Sequence, residues 1–313
     1  MEYRNLGRSG LQVSVVGLGT NNFGGRMDAA ATANVVDACL DHGITLFDTA
    51  DVYGGQGKSE EYLGKALQGG KRDKAIIATK FGMKMGEGPH TAGGSRKYIM
   101  AAAEASLRRL GTDYIDLYQI HRPDPETPLE ETMRALDDLV RDGKVRYLGN
   151  SNFAGWQIAD AHHIAKREHL TPFISAQNEY SLLNRTVEHE VAPAADAFGL
   201  GVLPFFPLAS GLLTGKYRRG EPAPAGTRLA AGPAGQRALT DSNFDVVERL
   251  EEYAQTHGHT LLELAFSWLA SKPYVGSVIA GATRPEQVAA NAAAASWKLS
   301  ATEMAEVDAI AKR

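Results

Sequence analysis

Short apolar runs alternate with longer amphipathic stretches along nearly the whole chain. Val15-Val-Gly-Leu-Gly, Ile44-Thr-Leu-Phe-Asp, Ala75-Ile-Ile-Ala-Thr-Lys and Ile115-Asp-Leu-Tyr-Gln-Ile-His are the first four. Tyr147-Leu-Gly-Asn, Phe173-Ile-Ser-Ala-Gln, Gly201-Val-Leu-Pro-Phe-Phe and Tyr274-Val-Gly-Ser-Val-Ile follow. Runs of this length and composition predict buried strands. Between them apolar residues recur at helical spacing. Val35, Val36, Cys39 and Leu40 predict a helix stopped by Gly43 in a left-handed cap. Helices are predicted over 59–67, 95–110, 153–166, 186–198, 260–270 and 284–294. Thr127-Pro-Leu-Glu predicts another start, with Thr127 as N-cap, Pro128 in the first turn and Glu130 completing a capping box. Leu129, Met133, Leu136 and Val140 continue it, and Gly143 ends it. Extra helices are predicted over 242–257 and, from the capping box Ser300-Ala-Thr-Glu303, at the C-terminal end.

Strands that alternate with helices pair in parallel, because a parallel neighbour needs a crossover. About eight units in 313 residues predict an α/β fold of the closed (β/α)8 TIM-barrel type, one domain over 1–313. Residues 2–14 precede it as a β-hairpin, turning at Leu6-Gly-Arg-Ser-Gly. Long loops follow the third and seventh barrel strands, at 81–94 and 207–240, and loops of that length are usually functional. An open doubly wound sheet is the alternative. It requires a Gly-x-Gly-x-x-Gly loop after the first strand, and in Gly17-Leu-Gly-Thr-Asn-Asn residue 22 is asparagine.

Composition narrows the function. The chain is 43% hydrophobic and 22% charged, with net charge -4, which disfavours a nucleic-acid or membrane-surface binder. No apolar run is long enough to span a bilayer, and no signal-peptide core follows Met1, so a cytoplasmic location is expected. The single cysteine, Cys39, reads as a buried core residue on a helix.

The chemistry gathers at the strand tips. Asp48, Lys80, His121, Ser151, Asn152 and Gln177 each end or follow an apolar run, with Tyr53 in the loop after Asp48. In a barrel of this type these ends meet at one mouth, where active sites sit. A tyrosine with a pKa near 10 is a poor acid at neutral pH, and a cation beside it lowers that value. Bringing it down to neutrality takes about 4 kcal/mol. Lys80 is expected to supply much of this, with Asp48 as its counter-ion and His121 orienting a substrate oxygen. The set suits proton delivery to a carbonyl, worth about 10²–10⁴-fold in rate. A structural Asp48–Lys80 pair, a structural histidine and an incidental tyrosine are the plain alternatives. Their convergence at one mouth favours the catalytic reading.

These residues carry a resemblance that runs essentially end to end. Tyr3-Arg-Asn-Leu-Gly-Arg-Ser-Gly-Leu, Asp48-Thr-Ala-Asp-Val-Tyr53-Gly, Leu117-Tyr-Gln-Ile-His121-Arg and Gly143-Lys-Val-Arg-Tyr-Leu-Gly-Asn-Ser151-Asn152-Phe resemble the aldo-keto reductase superfamily. Pro207-Leu-Ala-Ser-Gly-Leu-Leu-Thr-Gly-Lys-Tyr217 is most similar to its bacterial and potassium-channel β-subunit-like branch. The resemblance implies a catalytic tetrad of Asp48, Tyr53, Lys80 and His121, with Tyr53 as general acid, and a nicotinamide cofactor bound without a Rossmann fold. It implies carboxamide contacts from Ser151, Asn152 and Gln177, and a ribose side lined by Gly19, Thr20 and Asn21. Phe205 falls where the family usually has a stacking tyrosine, which keeps the ring face. Pro207, Leu208, Ser210, Gly211, Leu213 and Lys216 would run along the pyrophosphate. Gly281, Thr283, Gln287 and Asn291 match the adenosine side, with Arg228 also at that end. The Lys and Arg that grip the 2′-phosphate in the NADPH-selective branch correspond here to Gly281 and Gln287. Lys216, Arg228 and Arg284 are the substitutes, so NADP(H) is expected, with NAD as the alternative. Substrate-pocket candidates are Asn22, Phe23, Met83, Met85 and Arg122, and methionines in a Gly-rich loop suit a permissive apolar pocket.

The expected function is reversible reduction of aldehydes or ketones, with a small carbonyl or alcohol as partner, no metal, and a homo-oligomer left open. Two alternatives compete. One is a cofactor-binding regulatory subunit with little turnover, disfavoured by the complete tetrad and the lack of a segment before the hairpin. The other is a barrel lyase using Lys80 as a Schiff base.

Overall fold

The computed structural model describes residues 1–230 and 233–312. Eight parallel strands form the sheet: β3 (Val16–Gly19), β4 (Leu46–Asp48), β5 (Ile76–Phe81), β6 (Ile115–Ile120), β7 (Val145–Ser151), β8 (Phe173–Gln177), β9 (Gly201–Val202) and β10 (Val278–Gly281). They lie in the order β10-β3-β4-β5-β6-β7-β8-β9. Three backbone bonds close the remaining seam. Val202 N–H donates to the Tyr274 carbonyl at 2.7 Å, Gly276 N–H to Val202 at 2.9 Å, and Ile279 N–H to Pro204 at 3.0 Å. The fold is the expected (β/α)8 type.

Side chains alternate across each strand, so every second residue faces the barrel interior. Leu46, Ala78, Leu117, Leu203 and Ile279 form an inner apolar layer. Two residues further along β4, β5 and β6 stand Asp48, Lys80 and Gln119, all buried. The opposite faces pack on the surrounding helices in a larger core that includes Phe47, Ile77, Tyr118 and Leu148.

The hairpin β1 (Tyr3–Asn5) and β2 (Gln12–Ser14) closes the N-terminal end of the barrel. Its Leu6 and Val13 complete the inner apolar layer. The Arg4 guanidinium donates to the carbonyls of Ala270 and Val275 at 2.9 and 3.1 Å. A Cβ on Gly7 would stand 2.4 Å from the Gly199 carbonyl oxygen, which shows how closely the hairpin sits on the strand starts.

Several expectations are corrected. The helix after residue 127 runs Leu129–Arg141 with Pro128 as N-cap and no side-chain cap bond. Thr127 donates its hydroxyl to Asp124 at 2.8 Å and is lost to the cap. The helix expected over 186–198 is a short 3-10 turn, Thr186–Glu188, followed by Val191–Phe198. The seventh barrel strand is two residues, because Pro204 has no N–H for the ladder. The long loop after it holds a 3-10 segment, Ala209–Thr214, and a short helix, Pro233–Ala238, and its residues 231–232 lie outside the described ones. Cys39 is fully buried, and burial pushes its thiol up to about 12.

Candidate active site

The interior of the mouth is built on β4 and β5, whose tips place a carboxylate and an ammonium in contact. Lys80 Nζ donates to Asp48 Oδ2 at 2.7 Å and to the Thr49 carbonyl at 2.9 Å. Both side chains are almost wholly out of water, at 0% and 5% exposure. The second carboxylate oxygen accepts from Gln177 Nε2 at 2.7 Å, with Gln119 Nε2 at 3.5 Å. Asp48 is thus the hub that ties three strands of the barrel. Burial by itself would depress Lys80, but Asp48 and Tyr53 outweigh it and hold the ammonium above the usual lysine value.

Tyr53 lies five residues beyond the β4 tip, its ring 5.2 Å from Lys80 Nζ. His121 follows β6 and meets the Tyr53 ring edge to face, centroids 5.7 Å apart. Burial raises the Tyr53 pKa, and the opposing Lys80 charge does not reverse this. The expectation that Lys80 draws the phenol down toward neutrality is therefore corrected. Tyr53 is held as a protonated donor, with Lys80 reducing the cost of losing that proton. Burial, then Lys80 and Arg122, lower His121 to about 3, so its ring is neutral at any working pH. Its Nδ1 is buried without a partner among the described residues. An orphaned polar atom at such a place is satisfied when a ligand supplies the missing group.

The neighbouring tips have strained or committed backbones. Asn152 has φ +60°, while its N–H donates to the Gln177 carbonyl at 2.9 Å and its side-chain amide to the His121 carbonyl at 2.9 Å. Ser151 Oγ donates to the Gln177 carbonyl at 2.9 Å. A non-glycine residue held in the left-handed region at a mouth is a mark of a functional site. Phe206, Ala209 and Ser210 share that feature, with φ of +52°, +45° and +59°, followed by Gly211 at +98°. The Ala209 and Gly211 N–H groups donate within the turn, to the Phe206 and Leu208 carbonyls at 2.9 and 2.8 Å. A Cβ on Gly211 would stand 2.7 Å from Lys216 Nζ, so this ammonium is folded onto the turn. Arg228 lies over the Phe206 ring at 5.4 Å, and burial followed by the charge of Arg26 lowers its pKa. Phe205 packs edge to face on Phe206 at 5.3 Å.

Gly281 of β10 pairs with Gly19 of β3. A Cβ at 281 would come within 3.3 Å of Asn22 Nδ2, so the two tips pack closely. Thr283 donates through its N–H and hydroxyl to Gln287 Oε1 at 2.8 and 3.1 Å. Arg284 is exposed and Asn291 buried. Residues that could hold a dinucleotide are the polar strand tips Ser151 and Asn152 and the cations Lys216 and Arg228.

Some predicted contacts lie elsewhere. Thr20 is fully buried, its hydroxyl donating to the Asp48 carbonyl at 3.0 Å and bonded to Ser59 at 2.8 Å. Its side chain supports the Asp48 tip. Leu213 and Phe23 are core residues with no exposed surface, so their side chains line no pocket. Pro207 is also buried, whereas Asn21 is exposed. Asn22 is buried, its carbonyl accepting the Arg26 and Met27 N–H groups at 3.0 and 3.1 Å. Met83 and Met85 are partly exposed and Arg122 is exposed. Gln119 was not anticipated, although the alternation through Leu117 and His121 points to it. Behind the tips, buried Asp51, Glu60 and Tyr98 and the partly buried Arg109 were also missed.

Comparison with known proteins agrees with this geometry. A profile of the aldo/keto reductase family matches residues 15–312. A rice protein called a probable voltage-gated potassium channel subunit beta is 40% identical over 298 residues, 93% of this chain and 90% of its own. A Bacillus subtilis protein, the uncharacterized oxidoreductase YrpG, is 40% identical over 298 residues, 92% of this chain and 89% of its own. The L-glyceraldehyde 3-phosphate reductase of Escherichia coli K12 is 36% identical over 318 residues, 98% of this chain and 92% of its own. An acid–ammonium–phenol cluster at the mouth of a (β/α)8 barrel and a match spanning nearly every residue lead to one conclusion: the chain belongs to the aldo/keto reductase family of oxidoreductases.

Proposed function

We propose that the protein reduces aldehydes or ketones to alcohols, reversibly, with Tyr53 as proton donor and NADP(H) as the preferred cofactor. The observation that carries this is the dry Asp48–Lys80 pair at 2.7 Å beside a protonated Tyr53. A bound nicotinamide cofactor supplies the hydride. Tyr53 donates its hydroxyl proton to the carbonyl oxygen, and the Lys80 ammonium stabilises the phenolate left behind. Asp48 keeps Lys80 charged in a site where burial alone would discharge it. Neutral His121 orients the carbonyl oxygen. Ser151, Asn152 and Gln177 hold the nicotinamide carboxamide, with Phe205 against the ring. The 206–211 turn and Lys216 run along the pyrophosphate. Lys216, Arg228 and Arg284 are the cations that stand in for the family's 2′-phosphate grip, which favours NADPH over NADH. Met83, Met85 and Arg122 flank the substrate.

No helix among the described residues is long and apolar enough to cross a membrane. A second reading, a cofactor-binding regulatory subunit, is favoured by the likeness to the rice protein called a probable voltage-gated potassium channel subunit beta. One experiment separates the two: titration with NADPH and NADH followed by fluorescence quenching, with turnover of an aromatic aldehyde by wild type and Tyr53→Phe. Binding of NADPH with turnover lost 10²–10⁴-fold in Tyr53→Phe supports the reductase. Binding without turnover in either protein supports the regulatory reading, and no binding refutes both.

A further inference from the structure

A second buried charge cluster stands on the helix-facing side of β4 and β5, behind the tips. Glu60 is fully buried, accepting from Arg109 Nε at 2.7 Å and from the Thr79 hydroxyl at 2.5 Å. Arg109 reaches it across Gly57, where a Cβ would stand 2.4 Å from Arg109 Cδ. Asp51 is 1% exposed and much less well served. Among the described residues its Oδ1 has no hydrogen-bond partner, its Oδ2 receives one long bond from the Tyr98 hydroxyl at 3.3 Å, and the Val52 N–H lowers its pKa slightly. The same hydroxyl lies 3.2 Å from the Met83 carbonyl, at the root of the long loop after β5. The Asp51 N–H donates to the Lys80 carbonyl at 3.1 Å. One residue thus touches the Lys80 backbone and, through Tyr98, the loop beside the proposed substrate site.

We infer that Asp51 and Tyr98 are positioning residues for carbonyl reduction, with Asp51 holding an exchangeable proton that decides whether Tyr98 secures the Met83 loop. Two carboxylates share one guanidinium here, and Glu60 has taken it. Burial and Glu60 raise Asp51 to about 7, against the opposing pull of Arg109 and Tyr98. The other groups facing it are the Tyr118 hydroxyl, buried and also unpartnered, and Tyr53, whose pKa the Asp51 charge raises. Burial and Asp51 keep Tyr98 protonated, so its single hydroxyl proton serves one of the two acceptors at a time. Ionised Asp51 competes for its hydroxyl, and protonated Asp51 releases it to the Met83 carbonyl. The loop is then tight at low pH and loose at high pH. Its far end stays fixed, because Gly94 N–H donates to Asp124 at 2.6 Å.

The inference rests on the reductase reading, so the test has one arm that needs no turnover. Amide hydrogen exchange of residues 82–94, corrected for intrinsic rates, is measured at pH 6 and pH 8 in wild type, Asp51→Asn and Tyr98→Phe. One neutral hydrogen bond corresponds to about a fivefold change in opening. Wild-type protection is expected to fall by about that factor from pH 6 to pH 8. Asp51→Asn is expected to show no such change, and Tyr98→Phe to be loose at both values. In the kinetic arm the aldehyde KM follows the same pattern while kcat moves less. Equal pH dependence of exchange in wild type and Asp51→Asn overturns the inference. If Asp51→Asn does not fold, a wild-type pH dependence retained in Tyr98→Phe overturns it instead. Exchange as predicted without turnover of any carbonyl overturns only the reductase reading.

Discussion

Removing the carboxylate charge at residue 48 tests the central ion pair most directly. In Asp48→Asn the buried ammonium of Lys80 keeps the Thr49 carbonyl at 2.9 Å and loses its only carboxylate contact. The neutral amide has one acceptor for the two donors, Lys80 and Gln177, that both bind Asp48 at 2.7 Å in the wild type. With exposures of 0% and 5%, solvent screening does not rescue the remaining charge. Breaking a buried pair from one side costs about 3–5 kcal/mol. The sign with pH follows from linkage. An unpaired buried lysine has a folded pKa below its unfolded value of about 10.4, so the unfolded chain binds the extra proton. The loss is therefore largest near neutrality and shrinks as pH approaches 10. Urea denaturation at pH 7 and pH 9.5 measures it. In a double-mutant cycle, Asp48→Asn with Lys80→Met is expected to cost about 2 kcal/mol less than the two singles added, since no charge is left stranded. A single-mutant loss below about 1 kcal/mol, or strict additivity, refutes the claim that this pair acts as a dry unit.

His121 is neutral above its value of about 3, so its ring signals in a heteronuclear NMR titration stay unchanged from pH 8 to pH 5; an inflection between pH 5.5 and 7.5 contradicts the assigned environment. Gly57→Ala puts a methyl group into Arg109 and a side chain at φ +108°, so a stability loss of at least about 2 kcal/mol is expected in urea. Wild-type stability in that variant shows that Arg109 can reach Glu60 by another path.

The fold and the main site were legible because both obey local rules. A polar residue ending an apolar run is visible without coordinates, and Asp48, Lys80 and His121 each do so. Gln119 sits inside a strand, where only strict counting by twos separates it from its outward neighbours. Asp51 and Glu60 look like ordinary surface acids of a loop and a helix. Their burial depends on Arg109, about fifty residues away, and on a glycine that lets it pass. The Thr127 cap failed because Asp124, three residues earlier, competes for the same hydroxyl. Phe23 was read as a pocket wall because a loop aromatic near a mouth has two equally good homes, and only packing shows which it occupies. The direction of the Tyr53 shift was out of reach for a related reason. It is a difference between burial and one nearby charge, and sequence shows the charge alone.

The hairpin that seals the barrel floor also bears on the order of folding. Its Arg4 and Leu6 meet the Ala270, Val275 and Gly276 groups some 270 positions later in the chain. At about 5–20 residues per second, synthesis leaves the hairpin without these partners for tens of seconds. Contacts of such long sequence separation form late. The floor is thus the last surface to be sealed, and the nascent chain carries Leu6 and Val13 as exposed apolar side chains until it is. Any chaperone that attends this protein on the ribosome would find a long-lived target in the hairpin.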